Sequence, residues 1–587
     1  MSSSKDITRL FWPVFLVGIL LVSVWAAPFR YDYSNSGRYL MVVAQRMDPK
    51  LFPGDPVVAA MARFDSLFYR TLPAILSGPE QLEGDLFKVY VSMKIALMLS
   101  LFWLIRTLTK ETLAAVLLLG WCSQSTAAIL GGVPLFSNWV THNEIALVLG
   151  ILSVVCALRR LYWGFWTLVC LSLFIHSLVT IHLLACVLPV LLLSERKDWT
   201  KLLIGTAGFG VCFLAYVHWM TPPPMSPEDA GIFMTAKGQM VHISPMAQGA
   251  ENYLNFGLML VLAIVGQRRW LSAQPTTKFI LGFAICGTII AFLLSFTAVF
   301  GGFLSLTQMQ PMRIFFWVTL FLRVIIAWAA CMAFNERHPV AWPLLGVIIF
   351  GMADSLWAEG LAALAIAGLG FDWSNQRPGK SKELTRWSGW LLWAFAFVVI
   401  AGALSGNRGP LQSLRNPWLV VLGVGLPVVM KLTESNRTRS VSLVLGLCLY
   451  ATGIGMQQGW SRAREKNLES GRHDWLAVCD WCRMNSAKAD LFLTPPAGDN
   501  FRLHALRSSI GEGMSALAWV DPKAYTNNAA TAMAVEKNYQ KGSWDLEGLR
   551  SLSRIYGAKF VVIDGPCKPA NHAVFSSGRF SIHEVAD

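Results

Sequence analysis

Apolar runs of roughly 15–22 residues recur from the N-terminus to about Tyr450, with short polar segments between them. Because about 20 apolar residues span the hydrocarbon core of a bilayer, the pattern predicts a mainly α-helical, polytopic membrane protein. Only 14% of the 587 residues are charged and 54% are hydrophobic, which excludes an ordinary soluble chain. More apolar runs follow the first one (Leu10–Ala27), so that run is predicted to be a span rather than a cleaved signal peptide.

Basic clusters between the runs predict the orientation, because Lys and Arg favour cytoplasmic loops. The N-terminus is basic and is predicted to be cytoplasmic. Tyr162–Ser194 and Pro339–Gly370 are each flanked by basic clusters, so each is predicted to be a hairpin of two short helices. Their turns would fall near His176 and Asp354. The count becomes about 15 spans, and an odd count places the C-terminus on the external face.

The apolar pattern ends at about Gly459, which predicts two parts. Residues 1–459 would form the transmembrane domain with a long first external loop at 28–86, and residues 460–587 a small external α/β domain. The second part begins with a helical pattern and a strand pattern. A helix, a glycine break and a buried strand follow, and then a last strand. These segments are His473–Asn485, Ala489–Pro496, Leu546–Pro566 and Arg579–Val585.

Charge and motifs exclude several classes of protein. The formal charge of +14 lies mostly in short loops between apolar runs, so no nucleic-acid partner is expected. There is no GxxxxGK[ST], GxGxxG, HExxH or GxSxG motif, which argues against an ATP-driven pump and a soluble-type hydrolase. The predicted external segments carry no N-x-[ST] sequon, which favours a bacterial inner membrane.

A CDWC sequence in the tail has the spacing of a redox or metal motif. Cys479 and Cys482 lie on a predicted helix without a second pair, so packing is the favoured interpretation. A disulfide that includes Cys567 stays open.

The first candidate for chemistry is Asp32, which follows the first apolar run within a few residues. A carboxylate at the membrane surface could act as a general base for an acceptor hydroxyl or amine. The alternative is a loop salt bridge with Arg30 or Arg38.

The sequence THNE contributes His142 and Glu144 as further catalytic candidates. Thr141 with Glu144 three residues later also fits a capping box at the start of a helix, which would not explain His142. Asp32 and Glu144 together could hold a divalent metal or divide base and orienting roles, so a metal cofactor stays open.

Three cations, Lys94, Arg313 and Arg323, are predicted on or inside the spans and could bind a phosphate or diphosphate. A central Arg costs roughly 2.5–3.5 kcal/mol on insertion scales, so it should face a polar cavity or a partner. The alternative is pairing with buried carboxylates. Other polar candidates at the external face are His176, Asp354 and Glu359.

With an acidic residue after the first span, a long first loop, many irregular spans and an α/β tail, the chain resembles the GT-C class of membrane glycosyltransferases. In particular it resembles uncharacterised bacterial members of that class. The motifs that carry the resemblance are Leu51–Pro56, Gln310–Arg313, Trp481, Thr494–Pro496, Phe501–Arg502 and Arg507.

The resemblance implies transfer of a sugar from a polyprenyl-phosphate carrier to a glycan, lipid or protein acceptor at the external face. It also implies that Asp32 is the base. The second acidic motif of the class is not evident here, with Glu144 as the nearest candidate. The alternatives are a lipid-linked glycan flippase or transporter, or a non-catalytic subunit of a polysaccharide assembly complex. A transporter would favour internal repeats and no folded external tail, whereas this chain has a tail and no repeat.

Overall fold

The computed structural model of the chain describes residues 29–31, 36–63, 66–109, 111–124, 130, 137, 139–220, 226–228, 231, 242–336, 338, 340–352, 470–495, 500–513, 517, 521–540, 543–568 and 573–585. Asp32, Asp354 and Glu359 lie outside the described residues, as do the first predicted span and the predicted domain boundary.

The first polar loop folds into short helices. They are α1 (Ser36–Met47), α2 (Pro56–Met61) and α3 (Leu67–Thr71). Two features of the sequence start α2: Pro56 has the fixed φ of a first helical residue, and Asp55 accepts hydrogen bonds from the backbone N–H groups of Val57 and Val58.

A bundle of apolar helices follows. Its members are α4 (Leu82–Thr109), α5 (Thr112–Gln124), α6 (His142–Leu158), α7 (Tyr162–Ile175), α8 (Ser177–Ser194), α9 (Trp199–Met220), α10 (Ala250–Gly266), α11 (Pro275–Gly301), α12 (Leu304–Gln308), α13 (Phe315–Asn335) and α14 (Ala341–Met352). In the described part of the chain, five helical segments are long and apolar enough to cross a membrane. The chain is therefore a mainly α-helical, multi-pass membrane protein, and the count of about 15 spans stays a prediction.

Helix α13 is the centre of the bundle, and α5, α10, α11 and α14 pack around it. Almost all of its side chains are buried. The outer helix α9 instead exposes Val211 and Leu214, and such apolar side chains can face lipid because all backbone groups of a helix are bonded internally.

A helix break is present at His176, where the turn of the first hairpin is predicted. Helix α7 ends at Ile175, and α8 begins at Ser177. The extended backbone of His176 (φ −154°, ψ 99°) separates them. The second predicted turn, near Asp354, lies outside the described residues.

The tail forms an α/β unit from residue 470 onward. Its helices are α15 (Ser470–Asn485), α16 (Phe501–Ala505), α17 (Pro522–Glu536) and α18 (Leu546–Tyr556). Its strands are β1 (Leu491–Leu493), β2 (Ser508–Ile510), β3 (Tyr539–Gln540), β4 (Ser543–Asp545), β5 (Phe560–Asp564), β6 (Cys567–Lys568), β7 (Phe575–Ser577) and β8 (Phe580–Glu584).

The larger sheet has the order β2-β1-β5-β8-β7. Strands β2, β1 and β5 run parallel, whereas β8 pairs antiparallel with both β5 and β7. The order β3-β4-β6 describes a smaller sheet. Strand β5 is buried along most of its length, as expected for an inner strand with covered faces.

The CDWC sequence lies on α15, where Cys479 and Cys482 are buried among the aromatic residues of the tail core. Both are free thiols, and so is Cys567. Burial raises the pKa of the Cys479 and Cys482 thiols, which keeps them protonated. Their environment matches the packing interpretation.

A buried ion cluster joins the first loop to the tail. The Arg502 guanidinium donates from Nε to Asp55 Oδ2 at 2.8 Å and from Nη1 to Glu512 Oε2 at 2.7 Å, and its Nη2 donates to the Ser509 carbonyl. Asp55, Arg502 and Glu512 are all at most 5% exposed. Burial and the charge of Asp55 raise the pKa of the Glu512 carboxyl, while the two carboxylates raise the pKa of Arg502.

We predict that Arg502→Met lowers the unfolding free energy by about 3–5 kcal/mol, because two buried carboxylates then lose their counterion. The matched control is Arg579→Met, since Arg579 is 62% exposed and pairs with Asp564 at the surface. It should cost less than about 1 kcal/mol. The midpoint of thermal unfolding in detergent measures both variants, and equal shifts would contradict the prediction.

Candidate functional site

Four aromatic side chains from separate elements meet beside the N-terminus of α6. Tyr39 of α1 stacks on Tyr69 of α3 at 4.9 Å between ring centroids. The Nδ1 atom of His142 lies 3.1 Å from the hydroxyl of Tyr69, and the His142 ring stacks on His176 at 4.4 Å. His142 and His176, two of the predicted site residues, are therefore brought together.

A buried ion pair involves Glu144, two residues after His142 in α6. The Nζ atom of Lys94 is 2.7 Å from Glu144 Oε1 and donates a second hydrogen bond to the Ser137 carbonyl. The backbone N–H and the hydroxyl of Ser137 also donate to Glu144 Oε1. The other oxygen of this carboxylate, Oε2, is buried and has no hydrogen-bond partner among the described residues.

This geometry changes two of the expectations. The Lys94 ammonium pairs with a buried carboxylate, which is the alternative to phosphate binding that the sequence leaves open. Thr141 caps α6 by accepting a hydrogen bond from Asn143 N, but the Glu144 side chain bonds to Lys94 and Ser137 instead of completing a capping box.

Arg313 lines a cavity beside this ion pair. The cavity is also lined by Glu144 and His182 and by the aromatic rings of Trp139, Phe316 and Trp317. The Arg313 Nε atom is buried without a hydrogen-bond partner in the part of the chain that the structure describes. The cavity thus combines a cation and a carboxylate oxygen with a mostly apolar lining.

The turn before Arg313 is strained. Gln310 has a φ of 49°, in the left-handed region that residues with a Cβ rarely occupy. Pro311 then begins the 3-10 turn Pro311–Ile314, and Met312 N donates to the His242 carbonyl at 3.1 Å. The QMQPMR sequence therefore fixes where the Arg313 side chain enters the cavity.

Arg323 lies apart from Arg313. Ten residues separate them along α13 and the preceding turn, which corresponds to about 15 Å along a helix axis. The Arg323 guanidinium lies over the Trp121 ring, 4.9 Å from its centroid, and the side chain is buried. Lys94 pairs with Glu144, which lines the Arg313 cavity, whereas Arg323 lies at Trp121.

Asp32 lies outside the described residues, but both of its flanks are described. Tyr31 contacts His504 of α16 at 5.7 Å between rings, and α1 begins at Ser36. A side chain at Gly37 would come within 2.3 Å of Asn500 Oδ1, so α1 lies tightly against the tail. Among the described residues, no group of three His, Cys, Asp or Glu side chains could hold a metal ion.

Sequence reasoning did not place two parts of this arrangement. His182 lines the Arg313 cavity, and its Nε2 lies 2.8 Å from the Met309 carbonyl. The bond between Asp55 and Arg502 was not anticipated, although both residues stand in the motifs Leu51–Pro56 and Phe501–Arg502.

Comparisons with known proteins give one family match and two similar structures. A family model described as a domain of unknown function (DUF6798) matches residues 473–511, the segment from α15 through β2. The chain is similar to a crystal structure of ArnT from Cupriavidus metallidurans bound to undecaprenyl phosphate, with 12% identity, 97% of both chains covered and a TM-score of 0.48.

The apo state of the same ArnT aligns with 11% identity over 98% of both chains, with a TM-score of 0.45. No curated protein matches the chain.

We predict that Lys94→Met and Glu144→Gln each destabilise the protein by about 3–5 kcal/mol, because each leaves a buried polar or charged partner unpaired. The double variant should recover a large part of that loss. Thermal unfolding midpoints of the four proteins in a double-mutant cycle measure the coupling. Additive losses would mean that the two side chains do not stabilise each other.

Proposed function

We propose that the chain is a membrane glycosyltransferase that moves a sugar from a polyprenyl-phosphate carrier to an acceptor at the external, periplasmic face. The observation that carries the proposal is the cavity in which Arg313 and Glu144 meet an aromatic and aliphatic lining. With a volume of about 60 Å³, the cavity can hold a small anionic headgroup but not the apolar chain of its carrier.

Arg313 is proposed to bind the carrier phosphate. A guanidinium offers a planar set of donors that fits phosphate oxygens, and its Nε is without a partner among the described residues. When the sugar leaves, negative charge grows on the phosphate, and a fixed cation in a cavity of low polarity stabilises that charge. His182 lines the same cavity and is proposed to help to position the phosphate.

Asp32 is proposed to be the general base that deprotonates the acceptor. Helix α1 begins four residues later, and its Tyr39 ring contacts His142 of the bundle. Tyr31 contacts the tail. The described residues before and after Asp32 therefore contact the tail through Tyr31 and the bundle through Tyr39. Glu144 lines the cavity, and its Oε2 atom has no hydrogen-bond partner among the described residues. This carboxylate is proposed to orient the sugar.

The fixed position of the tail supports an enzyme rather than a transporter. The buried Asp55–Arg502 bond holds the first loop against the tail, and α2 packs on α17. Transfer chemistry needs groups held in one geometry, because a displacement of about 1 Å can cost 100-fold in rate.

We predict that Arg313→Gln lowers the rate of sugar transfer about 100-fold or more, because the leaving phosphate loses its cation. Arg313→Lys should keep part of the rate, since it keeps the charge but loses the planar donors. Arg70→Gln is the matched control, because Arg70 is exposed on α3 and does not line the cavity. Transfer of labelled sugar from a polyprenyl phosphate by the purified protein measures all three. An unchanged rate in Arg313→Gln would contradict phosphate binding at this residue.

We predict that Asp32→Asn lowers transfer by about 100-fold or more while donor binding persists, because an amide cannot accept the proton. The control is Asp48→Asn, a carboxylate of the same loop that pairs with Lys488. If Asp32→Asn transfers sugar at the normal rate, Asp32 is not the base. If the wild-type protein transfers no sugar, the proposed function itself fails.

A further inference from the structure

A second, larger cavity of about 940 Å³ lies between the first loop and the tail. Asp55, Ala59 and Arg63 line it from the loop side, and Ser508 and Asn527 are among the residues that line it from the tail. Its volume is within the range of small-molecule sites. Among the described residues, strand β2 lies at the edge of the larger sheet and lines the cavity, and the Ser509 N–H and carbonyl bond to Asp55 and Arg502.

The charges at this cavity largely cancel. Each nitrogen of the Arg502 guanidinium donates a hydrogen bond, to Asp55, Glu512 and the Ser509 carbonyl, and the two carboxylates compensate its charge. Arg63 forms an ion pair with Asp521. Among the charged lining residues that the structure describes, Lys523 is left without an ion pair in the structure. The cavity therefore offers little net charge to an anionic ligand.

Uncharged hydrogen-bonding groups and an aromatic ring make up the remaining polar lining. The Ser508 hydroxyl is buried and lacks a hydrogen-bond partner among the residues that the structure describes. Asn527 and Asn528 lie on one turn of α17 and Thr531 on the next, all along the cavity. Tyr556 of α18 also lines the cavity. Its hydroxyl lies 3.4 Å from the Thr531 hydroxyl, and the residue is 38% exposed.

Because the Ser508 hydroxyl is not accessible from the cavity, the groups that a ligand could reach are those of Asn527, Thr531 and Tyr556. Amide and hydroxyl side chains beside an exposed aromatic ring complement the hydroxyl groups and the C–H faces of a sugar. We infer that this cavity binds an uncharged carbohydrate and, if the proposed function holds, that the carbohydrate is the glycan of the acceptor.

The test is binding of the detergent-solubilised full chain to an array of uncharged and anionic oligosaccharides. We expect the chain to bind uncharged oligosaccharides of the array. Asn527→Trp places a large side chain in the cavity from an exposed position of α17. It should raise the dissociation constant of the best glycan at least about 10-fold. Met533→Trp is the matched control, because Met533 is 60% exposed and lies on the opposite face of α17. It should bind like the wild type.

Three results would overturn the inference: no uncharged glycan binds, only anionic glycans bind, or Asn527→Trp binds as tightly as Met533→Trp. The result is independent of the transfer reaction. If glycans bind in the cavity while the wild type transfers no sugar, the proposed function fails and the carbohydrate site stands. If transfer occurs and Asn527→Trp changes neither glycan binding nor the KM for the acceptor, the site fails and the proposed function stands.

Discussion

The buried Arg502 is the constraint on which the loop and the tail depend. Taking a guanidinium out of water costs several kcal/mol, and the structure offsets this cost with Asp55, Glu512 and a backbone carbonyl. Asp55 also caps α2, so one carboxylate starts a helix of the loop and binds the tail. Since α1 contacts α16 beside Arg502, the position of the chain on both sides of Asp32 follows from the same cluster.

Lys94 and Glu144 form a similar cluster inside the bundle. It uses one oxygen of Glu144 and leaves the other buried without a hydrogen-bond partner among the described residues. Several other buried side chains also have polar atoms without a partner among the described residues. Of these, Arg313 and Ser508 each line a cavity where a ligand is proposed.

Local patterns predicted much of the fold. The helix over His473–Asn485, the glycine break after Tyr556 and the last strand follow from periodicity and from the left-handed cap at Gly557, which has a φ of 71°. The break at His176 followed from charge parity. Helix α17, strand β2 and the smaller sheet were not anticipated, because their segments are short or weakly periodic.

Pairings across the chain could not be predicted in the same way. Asp55 and Arg502 are 447 residues apart in sequence, and Lys94 and Glu144 are 50 apart. Hydrophobic periodicity shows which face of a helix is buried, but it does not show which charged side chains form ion pairs with each other. The separation of Arg323 from Arg313 likewise depends on the contact of Arg323 with Trp121, which only the structure shows.

The position of a bound carrier phosphate tests the central claim most directly. A structure of the full chain in lipid with a polyprenyl phosphate would locate the phosphorus relative to the bundle. The account predicts phosphate oxygens within hydrogen-bond distance of the Arg313 guanidinium, in the cavity lined by Glu144 and His182. A phosphate bound elsewhere, with Arg313 making no contact to it, would contradict the account.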